Sequence, residues 1–422
     1  MSEAAEILAG IDQRIRKHRT AKLAVSVVDK AGRPVPNAEV EIRQTRHEFL
    51  FGSGIFRWNR GTKAQKTIYR SHFEALFNYA TYPFYWSRFE PRKSRAHHDR
   101  LAPVIEWCKE RNIVGKGHPL IWNHDVSSPK WLPKDPKKSL AACEARVYET
   151  IRRYKGRIDS WDVINEPADC FRERSFDEIS FRGQVTKAWR MLGKGAFSKR
   201  CFLIARQANP DATLLVNDFV TKPSYERLIE QLVDDDGKPV YDAIGIQSHM
   251  HGNYWGVPKI WNVCQRFARF GKPLHFTETT LISGRPKMGD EIDWRGWDPE
   301  WHSTKAGERR QADNVEEFYR LLFSHPAVKA ITWFDIVDSG WLGAPGGLLR
   351  KDFSPKPAHE RLINLIKGEW WTQATALTDK AGRCSVRAFH GDYEIKARLG
   401  GKRKTVKFHL TKGGETEVVA RI

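Results

Sequence analysis

The sequence predicts an α/β protein: a (β/α)8 TIM barrel with an additional small all-β sandwich built from both chain ends. Three observations support this prediction. The chain has 422 residues, its middle alternates short apolar strands with helical patterns, and both ends alternate apolar with polar residues. A barrel takes roughly 250 residues, so the length leaves room for a second unit. Strand–helix alternation is typical of a parallel sheet.

The two terminal segments share the pattern of antiparallel β-structure. Residues 21–43 alternate around an Asp-Lys-Ala-Gly-Arg-Pro turn, and residues 374–398 alternate around Asp-Lys-Ala-Gly-Arg. They resemble the opening and closing halves of a carboxypeptidase-regulatory-like sandwich, so we expect one sandwich split by the barrel. The alternative is two unrelated extensions. The predicted division is a helical extension at 1–20, sandwich parts at 21–46 and 368–422, and the catalytic barrel at 47–367.

The central region contains eight strand candidates, which is the number that closes a barrel. Helical patterns separate most of them, for example at residues 101–111, 140–154 and 312–323. The eight candidate strands cover residues 47–52, 78–82, 113–122, 158–165, 213–217, 243–248, 273–277 and 330–334.

The composition narrows the possible partners. Lys and Arg number 71 against 51 Asp and Glu, a net charge of +20, and a basic surface attracts polyanions. No nucleic-acid motif is present, so no nucleic-acid partner is expected; an acidic polysaccharide and a merely solvated basic surface are the alternatives. The longest apolar runs are shorter than the roughly 18 residues of a membrane span. None of the six Cys forms a CxxC pair, which argues against a zinc site or a thioredoxin-type redox site. Neither a metal nor a cofactor is expected.

Two predicted strands end in glutamate. Strand four ends in Asn165-Glu166, and strand seven ends in Thr277-Glu278. Barrel enzymes place their catalytic groups at the carboxyl ends of the strands, and strands four and seven face each other across the barrel. Cleavage of a glycosidic bond needs two carboxyl groups, one to protonate the leaving oxygen and one to attack. The sequence therefore predicts Glu166 and Glu278 as the catalytic pair.

Neighbouring strand ends supply candidate substrate contacts. Asn165 is expected to bond a sugar 2-hydroxyl, and His249 to keep Glu278 ionised. Trp333 is predicted as the floor beneath the reacting sugar. The other candidates at strand ends are His118, Trp122, Asn123, Gln247 and Trp341.

Together these segments resemble glycoside hydrolase family 10, whose characteristic activity is endo-β-1,4-xylanase. The resemblance implies a polysaccharide or oligosaccharide substrate and net retention by double displacement, with Glu166 as acid/base and Glu278 as nucleophile. It favours a secreted or periplasmic location, whereas the N-terminus lacks the apolar core of a secretory signal and favours a cytoplasmic one. The oligomeric state is left open. The segments concerned are 117–123, 161–166, 244–249, 276–278 and 331–341.

Several positions depart from the family pattern. The residues that usually bind xylose on the non-reducing side are replaced by Thr81, Tyr82 and Tyr85, so Tyr82, Tyr85 and the adjacent Trp86 become the predicted contacts there. The usual His after the strand-three Trp is Asn123, and the usual Asp behind His249 is Thr280. The predicted cleavage chemistry is unaffected, whereas the predicted recognition of the sugar changes.

A long loop follows strand seven, over residues 281–308. Its Trp residues are either a substrate platform or packed back on the barrel, and its basic residues would suit an anionic glycan. The residues concerned are Trp294, Trp297, Trp301, Arg285, Lys287 and Arg295.

Two further hypotheses remain. Tyr82 and Tyr85 could block one side of the cleft and make the enzyme exo-acting or of different specificity within related barrels. A non-catalytic glycan-binding protein is the other alternative, motivated by the altered sugar-binding positions.

Overall fold

A computed structural model of the chain describes residues 2–171, 181–292, 294, 296–413 and 415–422. These residues form fifteen strands and twelve α-helices. The strands are β1 (Thr20–Val28), β2 (Glu39–His47), β3 (Leu50–Gly54), β4 (Tyr79–Pro83), β5 (Val114–His118), β6 (Ser160–Asn165), β7 (Thr213–Asp218), β8 (Ala243–Met250), β9 (Leu274–Leu281), β10 (Val328–Trp333), β11 (Gln373–Leu377), β12 (Arg383–Phe389), β13 (Gly391–Leu399), β14 (Lys402–Leu410) and β15 (Glu415–Arg421).

The α-helices lie mainly between the barrel strands. Their ends follow ordinary capping chemistry: at the start of the sixth helix, Pro136 occupies the first turn and the Asp135 carboxylate accepts from the Lys138 N–H at 2.8 Å. The helices are α1 (Glu3–Ala9), α2 (Ile11–Arg19), α3 (Lys63–Leu76), α4 (Trp86–Phe89), α5 (His98–Glu110), α6 (Pro136–Tyr154), α7 (Gln184–Leu192), α8 (Lys194–Ala208), α9 (Pro223–Ile229), α10 (Gly256–Ala268), α11 (Lys305–Ser324) and α12 (Pro357–Ile363).

Strands β3 to β10 form a closed parallel barrel in which β10 pairs with β3, which confirms the predicted fold class. The predicted third strand was too long, because β5 stops at His118. The next residue, Pro119, has no N–H to donate to a neighbouring strand. The predicted first strand began too early, since His47 is the last residue of β2.

The two chain ends form one sandwich, as the sequence predicts. One sheet has the order β12-β1-β15 and the other the order β11-β2-β13-β14, so each N-terminal strand lies between C-terminal strands. Leu23, Val25, Val40, Ile42 and Ile395 are fully buried between the sheets. The alternative of two unrelated extensions is therefore wrong.

Arg19, at the end of α2, attaches the N-terminal segment to the barrel. Its guanidinium donates to the backbone oxygens of Phe323, His325 and Val328 at 2.6, 2.6 and 2.8 Å. Arg19 is only 4% exposed, and carbonyl acceptors of this kind offset the cost of burying its charge. Among the described helices, none is long and apolar enough to cross a membrane.

Candidate active site

A cleft of about 1260 Å³ opens at the carboxyl ends of the barrel strands. The cleft lining contains Glu166 and Glu278 together with His118, Trp122, Asn165, Gln247, His249, Trp341 and Tyr85. The structure thus brings together nine of the thirteen residues predicted for the site. Tyr82, Trp86, Asn123 and Trp333 lie outside this lining.

Glu278, in β9, is held by three side chains. One carboxylate oxygen accepts from the Asn217 amide at 2.8 Å and lies 3.7 Å from the Nε2 of His118. The other lies 3.2 Å from the Nε2 of His249. Burial acts to raise the pKa of Glu278, but His118, His249 and Lys116 outweigh it and lower the pKa. The carboxyl group is therefore ionised at neutral pH, as a nucleophile requires.

A buried network of side chains, Lys116, Asp162 and His118, contacts the Glu278 carboxylate through His118. The carboxylate of Asp162 accepts from Lys116 Nζ at 2.6 Å and contacts His118 Nδ1 at 2.7 Å. Burial acts to raise the pKa of Asp162, but Lys116 and His118 lower it overall. Asp162 and Lys116 are fully buried, so each charge depends on the other. Asp162 thereby orients His118 towards Glu278.

Glu166, directly after β6, has a left-handed backbone conformation with φ of +56°. Its backbone N–H donates to the Asn217 oxygen at 2.7 Å. Its carboxylate accepts from the indole of Trp122 at 3.0 Å and from the amide of Gln247 at 3.2 Å. A non-glycine residue in this region is uncommon and is tolerated where surrounding contacts hold it. The local backbone therefore directs this carboxylate into the cleft.

Hydrogen bonds between amide side chains connect the two glutamates. Gln247 donates to both Glu166 and Asn165, at 3.2 and 3.3 Å. Asn217 donates to both Asn165 and Glu278, each at 2.8 Å. Asn217 was not among the predicted site residues, although the strand candidate 213–217 contained it. Its polar position at a strand end was the available signal.

His249 contacts three other residues besides Glu278. Its Nδ1 lies 2.9 Å from the Thr280 hydroxyl, so a hydroxyl stands where the family usually has a carboxylate. The ring of Trp341 stacks on His249 with centroids 4.7 Å apart and planes 7° apart. Phe334 contacts the same ring edge-on at 4.9 Å. His249 is therefore fixed in orientation by packing and by the Thr280 hydroxyl.

We call the two glutamates and the buried or nearly buried side chains that contact or support them the catalytic floor, namely Glu166, Glu278, Lys116, His118, Asp162, Asn165, Asn217, Gln247 and His249. Tyr85 lies in the cleft beside this floor. Its ring contacts His118 edge-on at 5.4 Å. Burial, together with the negative charge of Glu278, raises the pKa of Tyr85. Its phenol is therefore protonated and able to donate a hydrogen bond.

Tyr82 and Trp86 are buried in the protein core instead of the cleft. The Tyr82 ring covers Gly115, whose Cβ, if present, would lie 2.3 Å from it. The indole N–H of Trp86 donates to Glu90 at 2.9 Å, and its ring packs edge-on against Trp131. Successive strand residues point to opposite faces of the barrel wall, so Tyr82 faces the helices.

Asn123 and Trp333 also have structural partners. The Asn123 amide donates to the Cys170 oxygen and to Thr186 at 3.2 Å. The Trp333 indole donates to the Gly346 oxygen at 3.0 Å, and its side chain is fully buried. The following residue, Phe334, lines the cleft instead.

The long loop after β9 contributes both aromatic surface and core. Trp294 and Trp297 line the cleft, and Trp297 is 55% exposed, whereas Trp301 is 2% exposed and donates to the Arg285 oxygen. Trp301 is thus packed back on the protein, whereas a substrate-platform role for Trp294 and Trp297 stays a prediction. We call Trp294, Trp297 and Trp341 the aromatic wall.

Two of the three basic residues predicted to face an anionic glycan are in ion pairs. Arg285 pairs with Glu291 at 2.6 Å, and Lys287 pairs with Asp298. Arg295 lies outside the described residues.

Another part of the cleft is lined by arginines that were not among the predicted site residues. Arg57 and Arg60 follow β3, whereas Arg88 and Arg100 belong to α4 and α5. We call these four residues the arginine wall. Their signal in the sequence was weak, because isolated arginines in polar loops occur on many surfaces.

A parallel eight-stranded barrel with two glutamates in one cleft at its carboxyl edge defines the architecture of a glycoside hydrolase. Comparison with known families assigns the particular one. The model of Glycosyl hydrolase family 10 matches residues 43–365. The chain belongs to this family.

The chain is also similar to individual proteins from bacteria and plants. The chain is 26% identical over 419 residues to the anti-sigma-I factor RsgI6 of Acetivibrio thermocellus, covering 96% of this chain and 48% of that protein. It is 24% identical over 440 residues to endo-1,4-beta-xylanase 5-like of Arabidopsis thaliana, covering 97% and 68%.

The crystal structure of xylanase 10B from Thermotoga petrophila in complex with xylobiose superposes with a TM-score of 0.59. The sequence identity is 21%, covering 76% of this chain and 95% of that one. This likeness supports the fold. The chain spans about half the length of the anti-sigma factor, 48%.

Proposed function

We propose that this protein is a retaining glycoside hydrolase that cleaves β-glycosidic bonds in a xylan-like polysaccharide or oligosaccharide. The observation that carries the proposal is the pair of buried carboxylates, Glu166 and Glu278, connected through Gln247, Asn165 and Asn217 in one cleft. Such a connected set holds both groups in a preorganised arrangement.

In the proposed mechanism, Glu278 attacks the anomeric carbon while Glu166 donates a proton to the departing glycosidic oxygen. The resulting glycosyl–Glu278 ester is then attacked by water, and Glu166 takes the proton from that water. The lowered pKa of Glu278 supports its role as the nucleophile. Asn165, between the two amide donors, is suited to bind a sugar hydroxyl next to the reacting carbon.

The test is a panel of β-linked xylan, glucan and mannan oligosaccharides incubated with the protein and with Glu166→Gln and Glu278→Gln variants. Loss of the general acid is expected to lower kcat about 10²–10⁴-fold, and loss of the nucleophile at least as much. Glu360→Gln, at an exposed position on α12, is the matched control. Nuclear magnetic resonance of the first product should show the β-anomer.

Turnover by both glutamine variants at the parent rate would refute the proposal. Binding of an oligosaccharide with no turnover by the parent would favour the glycan-binding alternative instead.

The cleavage mode is tested by the lengths of the products. Of the two tyrosines expected to block the cleft, Tyr85 alone lines it, and Tyr82 is 1% exposed in the core. We therefore expect endo cleavage, seen as a ladder of intermediate lengths at early times. Release of one product length alone from the first time point would establish exo action.

A further inference from the structure

The arginine wall carries positive charge that the protein itself leaves uncompensated. Arg57 pairs with the buried Asp335 at 3.1 Å and donates to the Asp338 oxygen at 3.3 Å. Arg60, Arg88 and Arg100 are exposed. Within the part of the chain that the structure describes, none of these three forms an ion pair. The arginine wall therefore has three guanidinium groups without an ion-pair partner among the described residues.

These groups lie on adjoining segments of the barrel edge. Strands β3 and β4 are neighbours, and Phe56 beside Arg57 contacts Tyr85 edge-on at 6.3 Å. The backbone of His97 bonds to Phe89 at 2.9 Å, next to Arg88, and Arg100 bonds back to His97. The wall is thus one continuous surface, with Tyr85 between it and the catalytic floor.

Among the described residues, five acidic side chains line the cleft: Asp125, Glu166, Asp169, Glu278 and Asp335. Two of them belong to the segments nearest the arginine wall, and both have partners. Asp335 is occupied by Arg57, and Asp125 lies 2.8 Å from the His124 ring. His97 also lines this part of the cleft. Arg60, Arg88 and Arg100 therefore remain available to an anionic ligand group, because no ion pair engages them within the described residues.

We propose that the arginine wall is a subsite for an acidic substituent of the glycan, either a carboxylate or a sulfate ester. Guanidinium groups bind such planar or multi-oxygen anions through paired N–H donors. Arg60 and Arg88 are the principal contacts, and Arg57 is held in place by Asp335. This inference rests on the proposed glycoside hydrolase function and specifies the substrate class of the same cleft.

Within the described residues, the long loop after β9 contributes no arginine or lysine to the cleft lining. Arg285 and Lys287 of the long loop are in ion pairs with Glu291 and Asp298, and neither lines the cleft. Among the described arginines and lysines of the lining, four form the arginine wall and the fifth, Lys259, lies on α10. A substrate with acidic substituents is oriented by this asymmetry.

The experiment compares three matched oligosaccharides: neutral xylo-oligosaccharide, the same chain bearing glucuronic acid, and the same chain bearing sulfate. The kcat/KM for each is measured with the parent and with an Arg60→Gln/Arg88→Gln variant. We expect the acidic-to-neutral ratio to fall about ten-fold in the variant. The preference of the parent should also weaken with added salt.

Arg403→Gln, on the exposed face of β14, is the matched control and should leave the ratio unchanged. A fall confined to the glucuronic-acid arm identifies a carboxylate, and a fall confined to the sulfate arm identifies a sulfate ester. An equal ratio in the parent and the double variant overturns the inference while leaving the proposed hydrolase intact.

Direct binding separates this inference from the function on which it rests. The same three oligosaccharides are titrated into the Glu278→Gln variant, with and without the two arginine substitutions. One outcome is that the parent turns over none of the oligosaccharides, while the acidic ones bind and lose affinity about ten-fold when the two arginines are replaced. In that case the hydrolase proposal fails and the proposed subsite stands. Equal affinity for neutral and acidic chains overturns the subsite.

Discussion

The catalytic floor and the arginine wall differ in burial and in the bonding partners that the protein supplies to their side chains. On the floor, Glu278, Asn217 and Gln247 are buried, and their side chains bond to one another or to a neighbour. On the wall, Arg60 and Arg88 are exposed and form no ion pair within the described ranges. The difference teaches that the two glutamates are positioned by the protein in advance, whereas the exposed arginines would gain their partners only from the proposed acidic substituent.

The largest expected effect is on the floor, where Asp162→Asn removes the charge between Lys116 and His118. Breaking a fully buried pair typically costs about 3–5 kcal/mol of unfolding free energy, and Glu278 loses a correctly oriented His118. Urea unfolding and kcat measure the two consequences. A double Lys116→Met/Asp162→Asn variant should recover part of the stability. A single variant as stable and active as the parent would show that the floor is not held by this pair.

The next effect concerns the pH dependence of the floor. His249 helps to lower the pKa of Glu278, so His249→Ala should raise it. The nucleophile must be ionised, and the acidic limb of the kcat/KM profile should therefore move to higher pH. His251→Ala is the control: burial lowers the pKa of His251 to about 4, so it is neutral where the parent is active. An unmoved acidic limb in His249→Ala would contradict this role.

A smaller effect is expected on the aromatic wall. Trp341 stacks on His249 and packs against Trp294 at 6.1 Å, whereas Trp297 is 55% exposed. Loss of a fixed stacking surface should raise KM about ten-fold in Trp341→Ala, and Trp297→Ala should change KM less. Steady-state kinetics on one oligosaccharide separates them. A larger effect of Trp297→Ala would show that Trp297, and not Trp341, is the main stacking surface for the sugar.

The smallest effect is expected at Thr280, whose hydroxyl contacts Nδ1 of His249 at 2.9 Å. Thr280→Val keeps the shape and removes a single neutral hydrogen bond, worth about 0.5–1.5 kcal/mol. A reduction of kcat/KM of about ten-fold at most is therefore expected, with the acidic limb little changed. A reduction of kcat/KM as large as that in His249→Ala would mean that the Thr280 hydroxyl alone fixes the orientation of the His249 imidazole.

The sequence predicts the barrel, the sandwich and the two glutamates because each has a periodic or strand-end signal. Which strand residues enter the cleft depends on the face of the barrel wall to which each side chain points. Tyr82 was expected in the cleft and faces the helices, and Trp333 was expected under the sugar where Phe334 lines the cleft. A shift of one residue reverses the facing side, and a sequence pattern does not resolve it. The arginine wall is assembled from three separate segments, so no local pattern marks it.

The interleaved sandwich delays part of the folding of the chain during its synthesis. Strand β1 pairs in parallel with β15, for example Val25 with Val418, and β2 pairs with β11 and β13. During synthesis from the N-terminus, β1 and β2 emerge with apolar faces and open edges long before their partners exist. Unpaired edges of this kind promote aggregation, and pairing across so long a separation is slow. The first fifty residues are therefore the part of the nascent chain most dependent on protection until the last strand is made.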